Sequence, residues 1–152
     1  MGKLFGTDGI RGVVNAGLDA DLAYKVGLAA AQVLAKDKQP GEKPLVTIGK
    51  DTRISGDLLK GSLIAGLCTA GADVMDLGTL PTPGVAWVTV DEGADAGIVI
   101  SASHNPFEHN GIKIFKGDGY KLPDEVENQI EAHVFNNCTD IRLAEGADIG
   151  RI

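Results

Sequence analysis

The chain has 152 residues, of which 43% are hydrophobic, and this suits one domain with an apolar core. A formal net charge of -7 argues against nucleic acid or an anionic membrane surface as the main partner, although it leaves small anionic ligands open. Neither of the two cysteines has a metal-binding spacing, and the sequence shows neither a signal peptide nor a transmembrane run. We therefore expect a cytoplasmic, soluble protein with free thiols.

Helix-like and strand-like segments alternate from the start of the chain. Residues 19–36 carry an apolar stripe with helical spacing, and Asp19 suits the N-cap position. The short apolar run at 45–49 predicts a strand. Residues 56–70 predict a second helix, with Ser55 as its N-cap.

The same alternation continues through the middle of the chain. Residues 72–78 alternate as in a strand. Thr82 followed by Pro83 predicts an N-cap with proline at the first helical position, opening a short helix that runs to Val90. We expect Trp87, within that helix, to pack in the core.

The last third contains two strands and one helix. The connection between the strands at 98–100 and 112–115 has about eleven residues without a helical pattern, which favours an antiparallel pair. Pro123 opens a final helix, and periodicity is lost afterwards. The pattern predicts a three-layer α/β/α domain with a mixed, mostly parallel sheet over residues 1–136, followed by a linker over 137–152.

Polar and glycine-rich segments lie just beyond the predicted strands, where open α/β sheets bind their ligands. They are residues 6–12, 49–53 and 101–105. Four cations stand in or beside these segments: Arg11, Lys50, Arg53 and Lys113. Cations beside glycines and hydroxyls within an acidic chain favour a phosphate site.

The common nucleotide and hydrolase motifs are missing. Gly49–Lys50 lacks the remainder of a phosphate-binding P-loop, and Ser103 lacks the flanking glycines of a nucleophile elbow. Ser103 and His104 are adjacent, and neighbours in extended backbone point in opposite directions, which disfavours a Ser–His hydrolase pair.

The segment around Ser103 instead predicts a rigid loop. Asn105 precedes Pro106 and is biased away from helix, and Asn110–Gly111 predicts a second tight turn. A serine hydroxyl held on such a loop near Lys113 suits the transfer of a phosphoryl group, whose charge the nearby cations would stabilise.

Three motifs carry a resemblance to a known family. SASHNP at 101–106 with NGIK at 110–113 resembles the phosphoserine signature of the α-D-phosphohexomutases. GTDGIRG at 6–12 and GKDTRISG at 49–56 are similar to two further segments of that family's first domain. GTDGIRG and SASHNP together are most similar to the motifs of the branch that acts on glucosamine phosphates. The phosphomannomutase/phosphoglucomutase branch is the alternative.

The resemblance assigns roles to individual residues. It implies that Ser103 carries the phosphoryl group, with Ser101 as the weaker candidate. Arg11, His104 and Lys113 would surround the phosphoserine, with Arg11 stabilising charge and Lys113 handling a proton. The magnesium of the family would be bound by the phosphate on Ser103 and by three aspartates of a second domain.

Arg53 has two interpretations at this stage. The resemblance suggests a contact with the phosphoserine, and the nearby carboxylates of Asp51 and Asp57 suggest a structural ion pair instead.

The resemblance implies the first domain of a four-domain enzyme. That enzyme would interconvert glucosamine 6-phosphate and glucosamine 1-phosphate through glucosamine 1,6-bisphosphate, so its partners would be a phosphorylated amino sugar and the remaining domains. Dimers are common in the family, and a homodimer is a further expectation. We expect residues 1–152 to be inactive alone, with an apolar surface facing the second domain. A standalone phosphate-binding module is the alternative from another class, and an esterase is disfavoured by the missing elbow.

Overall fold

The computed structural model describes residues 4–152. Its strands are Ile10–Val14 (β1), Gly17–Leu18 (β2), Leu45–Lys50 (β3), Asp73–Thr79 (β4), Ala96–Ile100 (β5) and His109–Lys116 (β6). Its α-helices are Ala20–Ala35 (α1), Gly56–Thr69 (α2), Thr82–Asp91 (α3) and Asp124–Phe135 (α4), and Gly146–Asp148 forms a 3-10 turn. None of the helices in this part of the chain has the length and hydrophobicity needed to cross a bilayer.

The strands form one mixed sheet in the order β2-β1-β6-β5-β3-β4. β3 runs parallel to β4 and β5, and β1 is parallel to β2. β6 is antiparallel to both β1 and β5. The predicted antiparallel pairing of 98–100 with 112–115 is confirmed, because Ile98 lies opposite Ile114 and Ile100 opposite Ile112.

Helices cover both faces of the sheet, which confirms the three-layer architecture. The larger core joins α1, α2 and α4 to one face, where Ile48, Ile98 and Ile112 are buried. The smaller core joins α3 to the other face through Val85, Val99 and Phe115. β5 is therefore buried on both faces, which explains its uninterrupted apolar sequence.

The helix starts differ in how they are capped. Asp19 caps α1 as predicted, because its carboxylate accepts a hydrogen bond from the Leu22 N–H at 2.8 Å. Ser55 precedes α2 but does not cap it, since its hydroxyl accepts from the Asn110 amide at 2.9 Å instead. Thr82 is the first helical residue of α3 rather than its N-cap, a position that Pro81 occupies.

Two segments predicted to be loops are strands. β1 begins inside the glycine-rich segment, so Arg11 lies on a strand, and Asn110–Gly111 belongs to β6 rather than to a turn. A Cβ on Gly111 would lie 2.7 Å from the Ser101 carbonyl oxygen and 3.0 Å from Cγ of Arg11. The glycine is therefore needed for close strand contact, and an Asn-Gly pair does not by itself distinguish this from a hairpin turn.

The expectation for Trp87 is wrong. Its side chain is 66% exposed, because α3 turns Val85 and Thr89 toward the sheet. The helix is apolar on several sides, so spacing alone did not identify its buried face.

Residues 137–152 pack against the sheet despite their lack of periodicity. The Val74 N–H donates to the Arg151 carbonyl at 2.8 Å, and the Arg151 N–H donates to the Asp73 carboxylate at 2.9 Å. This segment thereby covers part of the exposed edge of β4. Its role as a linker to a second domain stays a prediction.

Candidate functional site

Three segments meet near the carboxyl ends of β3 and β5. The loop after β5 carries Ser103, the residues after β3 carry Asp51 and Arg53, and β1 carries Arg11. The Asp51 N–H donates to the Ile100 carbonyl at 3.0 Å, which joins the ends of the two parallel strands. The polar side chains therefore lie together at the carboxyl ends of β3 and β5, which is where open α/β sheets bind their ligands.

Ser103 stands at the exposed tip of its loop. Its φ of 53° lies in the left-handed region, which costs a non-glycine residue about 1–2 kcal/mol. Within the loop, the Ser103 N–H donates to the Ser101 hydroxyl at 3.1 Å, and the Asn105 N–H donates to the Ala102 carbonyl at 3.0 Å. Ala102 is fully buried and anchors the turn, so the serine hydroxyl projects from a fixed base.

Arg11 is the cation that reaches this hydroxyl. Its Nη2 donates to Oγ of Ser103 at 3.3 Å. Its Nε is buried and has no hydrogen-bond partner among residues 4–152. Buried N–H groups are nearly always paired, so an unpaired guanidinium donor beside a hydroxyl suits an anion attached to that oxygen.

Arg53 forms the structural ion pair and also contacts the backbone of the loop that carries Ser103. Its Nη1 pairs with the Asp51 carboxylate at 2.5 Å. Its Nη2 donates to the backbone carbonyls of Asn105 at 2.6 Å and Ser103 at 3.3 Å. Arg53 therefore holds the backbone of the loop while Arg11 contacts the Ser103 side chain.

Neither Lys50 nor Lys113 donates a hydrogen bond to this hydroxyl within residues 4–152. Lys50 points toward α2, with its Nζ 3.4 Å from the Asp57 carboxylate. Lys113 lies opposite Val99, on the face of the sheet that carries α3. Arg11 lies opposite Gly111, two residues before Lys113 on β6, so Arg11 and Lys113 share that face.

Lys113 also borders a cavity of about 180 Å³ beside the glycine-rich segment, which contributes Thr7 and Gly9 to the lining. Its side chain is half-buried and makes no hydrogen bond to Ser103 in the part of the chain that the structure describes. His104 follows Ser103 on the exposed turn and likewise has no side-chain hydrogen bond within residues 4–152. The described arrangement thus offers one arginine at the hydroxyl, with Lys113 and His104 nearby in the fold.

Comparison with known proteins identifies the family of this chain. Residues 2–140 match the family model of phosphoglucomutase/phosphomannomutase, alpha/beta/alpha domain I. The chain belongs to this family.

Curated relatives narrow the comparison. The chain is 58% identical over 153 residues to a phosphoglucosamine mutase of Alkaliphilus oremlandii and 54% identical over 152 residues to one of Moorella thermoacetica. Each match covers 100% of this chain but only 33% and 34% of the relatives, so the chain spans about a third of their length.

A solved structure gives the same fold. The phosphoglucomutase/phosphomannomutase family protein from Burkholderia thailandensis superposes with a TM-score of 0.76 and 30% identity, covering 97% of this chain and 32% of that one. Domain I of this family is therefore the unit that the chain forms.

The sequence did not reveal the role of Asn110, a buried polar residue that contacts Ser55 near the candidate site. Asn110 is fully buried at the start of β6, and its Nδ2 donates to the Ser55 hydroxyl. Its Oδ1 accepts from the Gly111 N–H at 2.9 Å. Asn110 thus connects the residue before α2 to β6, the strand that follows the loop carrying Ser103. We call this loop, residues 101–108, the serine loop. The Asn-Gly sequence was its only signal, and we interpreted that signal as a turn.

The described part of domain I contains no complete metal site. No group of three or more histidine, cysteine, aspartate or glutamate side chains converges within residues 4–152.

Proposed function

We propose that this chain is the phosphoserine-bearing domain I of a phosphoglucosamine mutase. The observation that carries the proposal is the Ser103 hydroxyl, exposed at the tip of a fixed turn and within 3.3 Å of Arg11. The 58% and 54% identical relatives that bear this name support the choice of an amino-sugar phosphate as substrate.

The proposed reaction has two phosphoryl transfers. The phosphoryl group on Ser103 passes to O1 of glucosamine 6-phosphate, which breaks the Oγ–P bond, forms an O1–P bond and gives glucosamine 1,6-bisphosphate. The bisphosphate reorients, and Ser103 Oγ then takes the phosphoryl group from O6. The products are glucosamine 1-phosphate and regenerated phosphoserine, so no phosphate is gained or lost.

The residues near Ser103 have distinct proposed roles. Arg11 stabilises the charge on the equatorial oxygens of the transferred group, for which its position and its spare buried Nε support the assignment. Lys113 exchanges the proton that leaves the attacking hydroxyl and returns to the leaving oxygen. His104, adjacent to Ser103, contacts the phosphoserine.

Magnesium fits this site in part. A phosphate on Ser103 supplies the hard oxygen ligand that Mg²⁺ prefers, and Mg²⁺ commonly binds one such phosphate together with carboxylates. No carboxylate cluster is present within residues 4–152, so we propose that the carboxylates come from a second domain. When bound, the ion would neutralise charge on the phosphoryl group.

The complete activity belongs to a longer protein under this proposal. The remaining domains would hold the far end of the sugar phosphate, and a homodimer is a further proposed partner. We propose a cytoplasmic location, where Cys68 and Cys138, both free in the structure, stay reduced.

Replacing Ser103 tests the proposal. In the full-length protein containing this chain, we expect Ser103→Ala to abolish conversion of glucosamine 6-phosphate while the fold is retained, since Ser103 is exposed on a loop. Glucose and mannose 6-phosphates, assayed alongside, measure the substrate preference. Undiminished turnover by Ser103→Ala would show that the phosphoryl carrier lies elsewhere.

A further inference from the structure

We propose that Arg53 is a positioning residue for phosphoryl transfer, which holds the serine loop in its reactive conformation without touching the phosphoryl group. This inference rests on the proposed function, because it takes Ser103 as the phosphoryl carrier. It depends on the contacts that join Arg53 to Asp51 on one side and to the backbone of the loop on the other.

Asp51 connects Arg53 to the sheet. The Asp51 N–H donates to the Ile100 carbonyl at the end of β5, and its Oδ1 accepts from the Arg53 N–H at 3.1 Å. Its other carboxylate oxygen pairs with Nη1 of Arg53. The arginine side chain is 12% exposed, so both ends of the ion pair are fixed close to a rigid strand end.

The other end of the guanidinium holds the turn. Nη2 donates to two carbonyl oxygens, those of Ser103 and Asn105. These carbonyls flank His104 and set the direction of the peptide that follows Ser103. The remaining backbone hydrogen bonds of Ser103 and Asn105 stay inside the loop, at Ser101 and Ala102.

These contacts of Arg53 explain how Ser103 keeps a left-handed backbone. A non-glycine residue at a φ of 53° stays there only when its surroundings hold it. Releasing the Ser103 carbonyl allows the residue to relax, and the hydroxyl then moves away from Arg11. A displacement of about 1 Å at a reacting atom is enough to lower a rate about 100-fold.

Arg53 is distinct from a phosphate ligand. Its charge is balanced by Asp51, and its Nη1 and Nη2 already serve the carboxylate and the two carbonyls, which leaves only the buried Nε without a partner among residues 4–152. Unlike Arg11, it makes no hydrogen bond to Oγ of Ser103 within these residues. A lysine at this position offers a single ammonium group and does not reproduce the planar fork that serves two carbonyls and a carboxylate together. Arg53→Lys therefore separates positioning by geometry from a simple requirement for positive charge.

The test uses the full-length protein with Arg53→Ala, Arg53→Lys and Asp51→Asn, and Lys38→Ala as control. Lys38 forms a similarly half-buried ion pair with Asp95 at the opposite end of the sheet. We expect kcat to fall about 100-fold in Arg53→Ala and nearly as far in Arg53→Lys, with KM changed less than about twofold. Asp51→Asn should lower kcat by a smaller factor, and Lys38→Ala should leave both constants unchanged.

The outcomes separate this inference from the proposed function. Wild-type kcat in both Arg53 variants, or a rise in KM at unchanged kcat, would overturn the positioning role. Full activity in Arg53→Lys would overturn it too, because charge alone would then suffice. If Arg53→Ala does not fold, Arg53→Lys and Asp51→Asn decide the question. Retained activity in Ser103→Ala, by contrast, would contradict the proposed function itself.

Discussion

Ser103 adopts a backbone conformation that a residue with a side chain keeps only under constraint. Three features constrain it: the Ser103 N–H donates to the Ser101 hydroxyl, the Ser103 carbonyl accepts from Arg53, and the preceding Ala102 is buried. The order of residues in SASHNP singled out the serine, but it does not reveal the hydrogen bond that the Ser103 carbonyl accepts from Arg53, which lies 50 residues earlier. Sequence reasoning therefore singled out Ser103 as the candidate phosphoryl carrier without identifying the contacts that hold its loop.

The contacts of individual side chains were also harder to predict than the helices and strands. Ser55 has an alternative partner in Asn110, a residue 55 positions away, and this long-range hydrogen bond replaces the local cap. Trp87 is exposed although it lies in an apolar helix. Local pattern predicts where a helix begins to within a residue or two, but tertiary contacts decide what each polar or large side chain touches.

His133 and Asp140 form a hydrogen-bonded pair at the turn that follows α4. Nδ1 of His133 lies 2.9 Å from one Asp140 carboxylate oxygen, and its hydrogen bond lowers the pKa of Asp140 below the usual value. The charged carboxylate therefore stabilises the fold above about pH 4, and this stabilisation is lost as pH falls through the lowered pKa. Carbon-detected NMR titration should show the lowered pKa in the wild-type chain and a rise toward about 3.9 in His133→Ala.

Asp118 provides the internal control for that titration. Its pKa is lowered by the Tyr120 backbone N–H and by Lys116, neither of which involves His133. The Asp118 titration should be the same in both proteins. An Asp140 curve that does not move in His133→Ala would contradict the assigned cause.

At the scale of elements, α1 and α2 cross with almost no space between their backbones. A Cβ on Gly66 would lie 2.2 Å from the Tyr24 carbonyl oxygen, and one on Gly27 would lie 2.5 Å from the Leu63 carbonyl oxygen. The apolar stripes predicted both helices, but only the facing glycines reveal how closely they approach. The same holds for β1, whose strand character depends on pairing with β6 rather than on its own glycine-containing sequence.

Gly66→Ala should destabilise the chain by about 1–3 kcal/mol, because the helices must separate to admit a methyl group. Gly61 is the matched control in the same helix, since a Cβ there meets no atom within 4 Å. Gly61→Ala should raise the free energy of unfolding by about 0.5–1 kcal/mol through helix propensity. Urea unfolding of both variants measures the contrast, and equal effects would show that the crossing tolerates side chains.

For the whole molecule, periodicity sufficed to predict the α/β layers and the antiparallel return of β6, because these depend on segment order and connection length. It did not reveal that residues 137–152 pack on β4, since that contact involves backbone groups such as those of Val74 and Arg151. Two large apolar side chains beside the serine loop, Ile54 at 87% and Phe107 at 68%, are exposed. Their position supports the expectation of an apolar surface facing a further domain.

The isolated chain should not supply all the contacts that the substrate needs. We expect residues 1–152 alone to show no mutase turnover in a coupled assay, because the chain covers about a third of the relatives' length and its described part lacks a metal-binding carboxylate cluster. Turnover by this chain alone would contradict the division of the site between domains.

The proposed function requires that the Ser103 oxygen carries the phosphoryl group. Intact-mass analysis with peptide mapping, on the full-length protein after incubation with glucosamine 1,6-bisphosphate, tests it most directly. We expect one added phosphoryl group, located on Ser103, and none on the Ser103→Ala protein. An actively turning-over protein whose Ser103 peptide is never phosphorylated would contradict it.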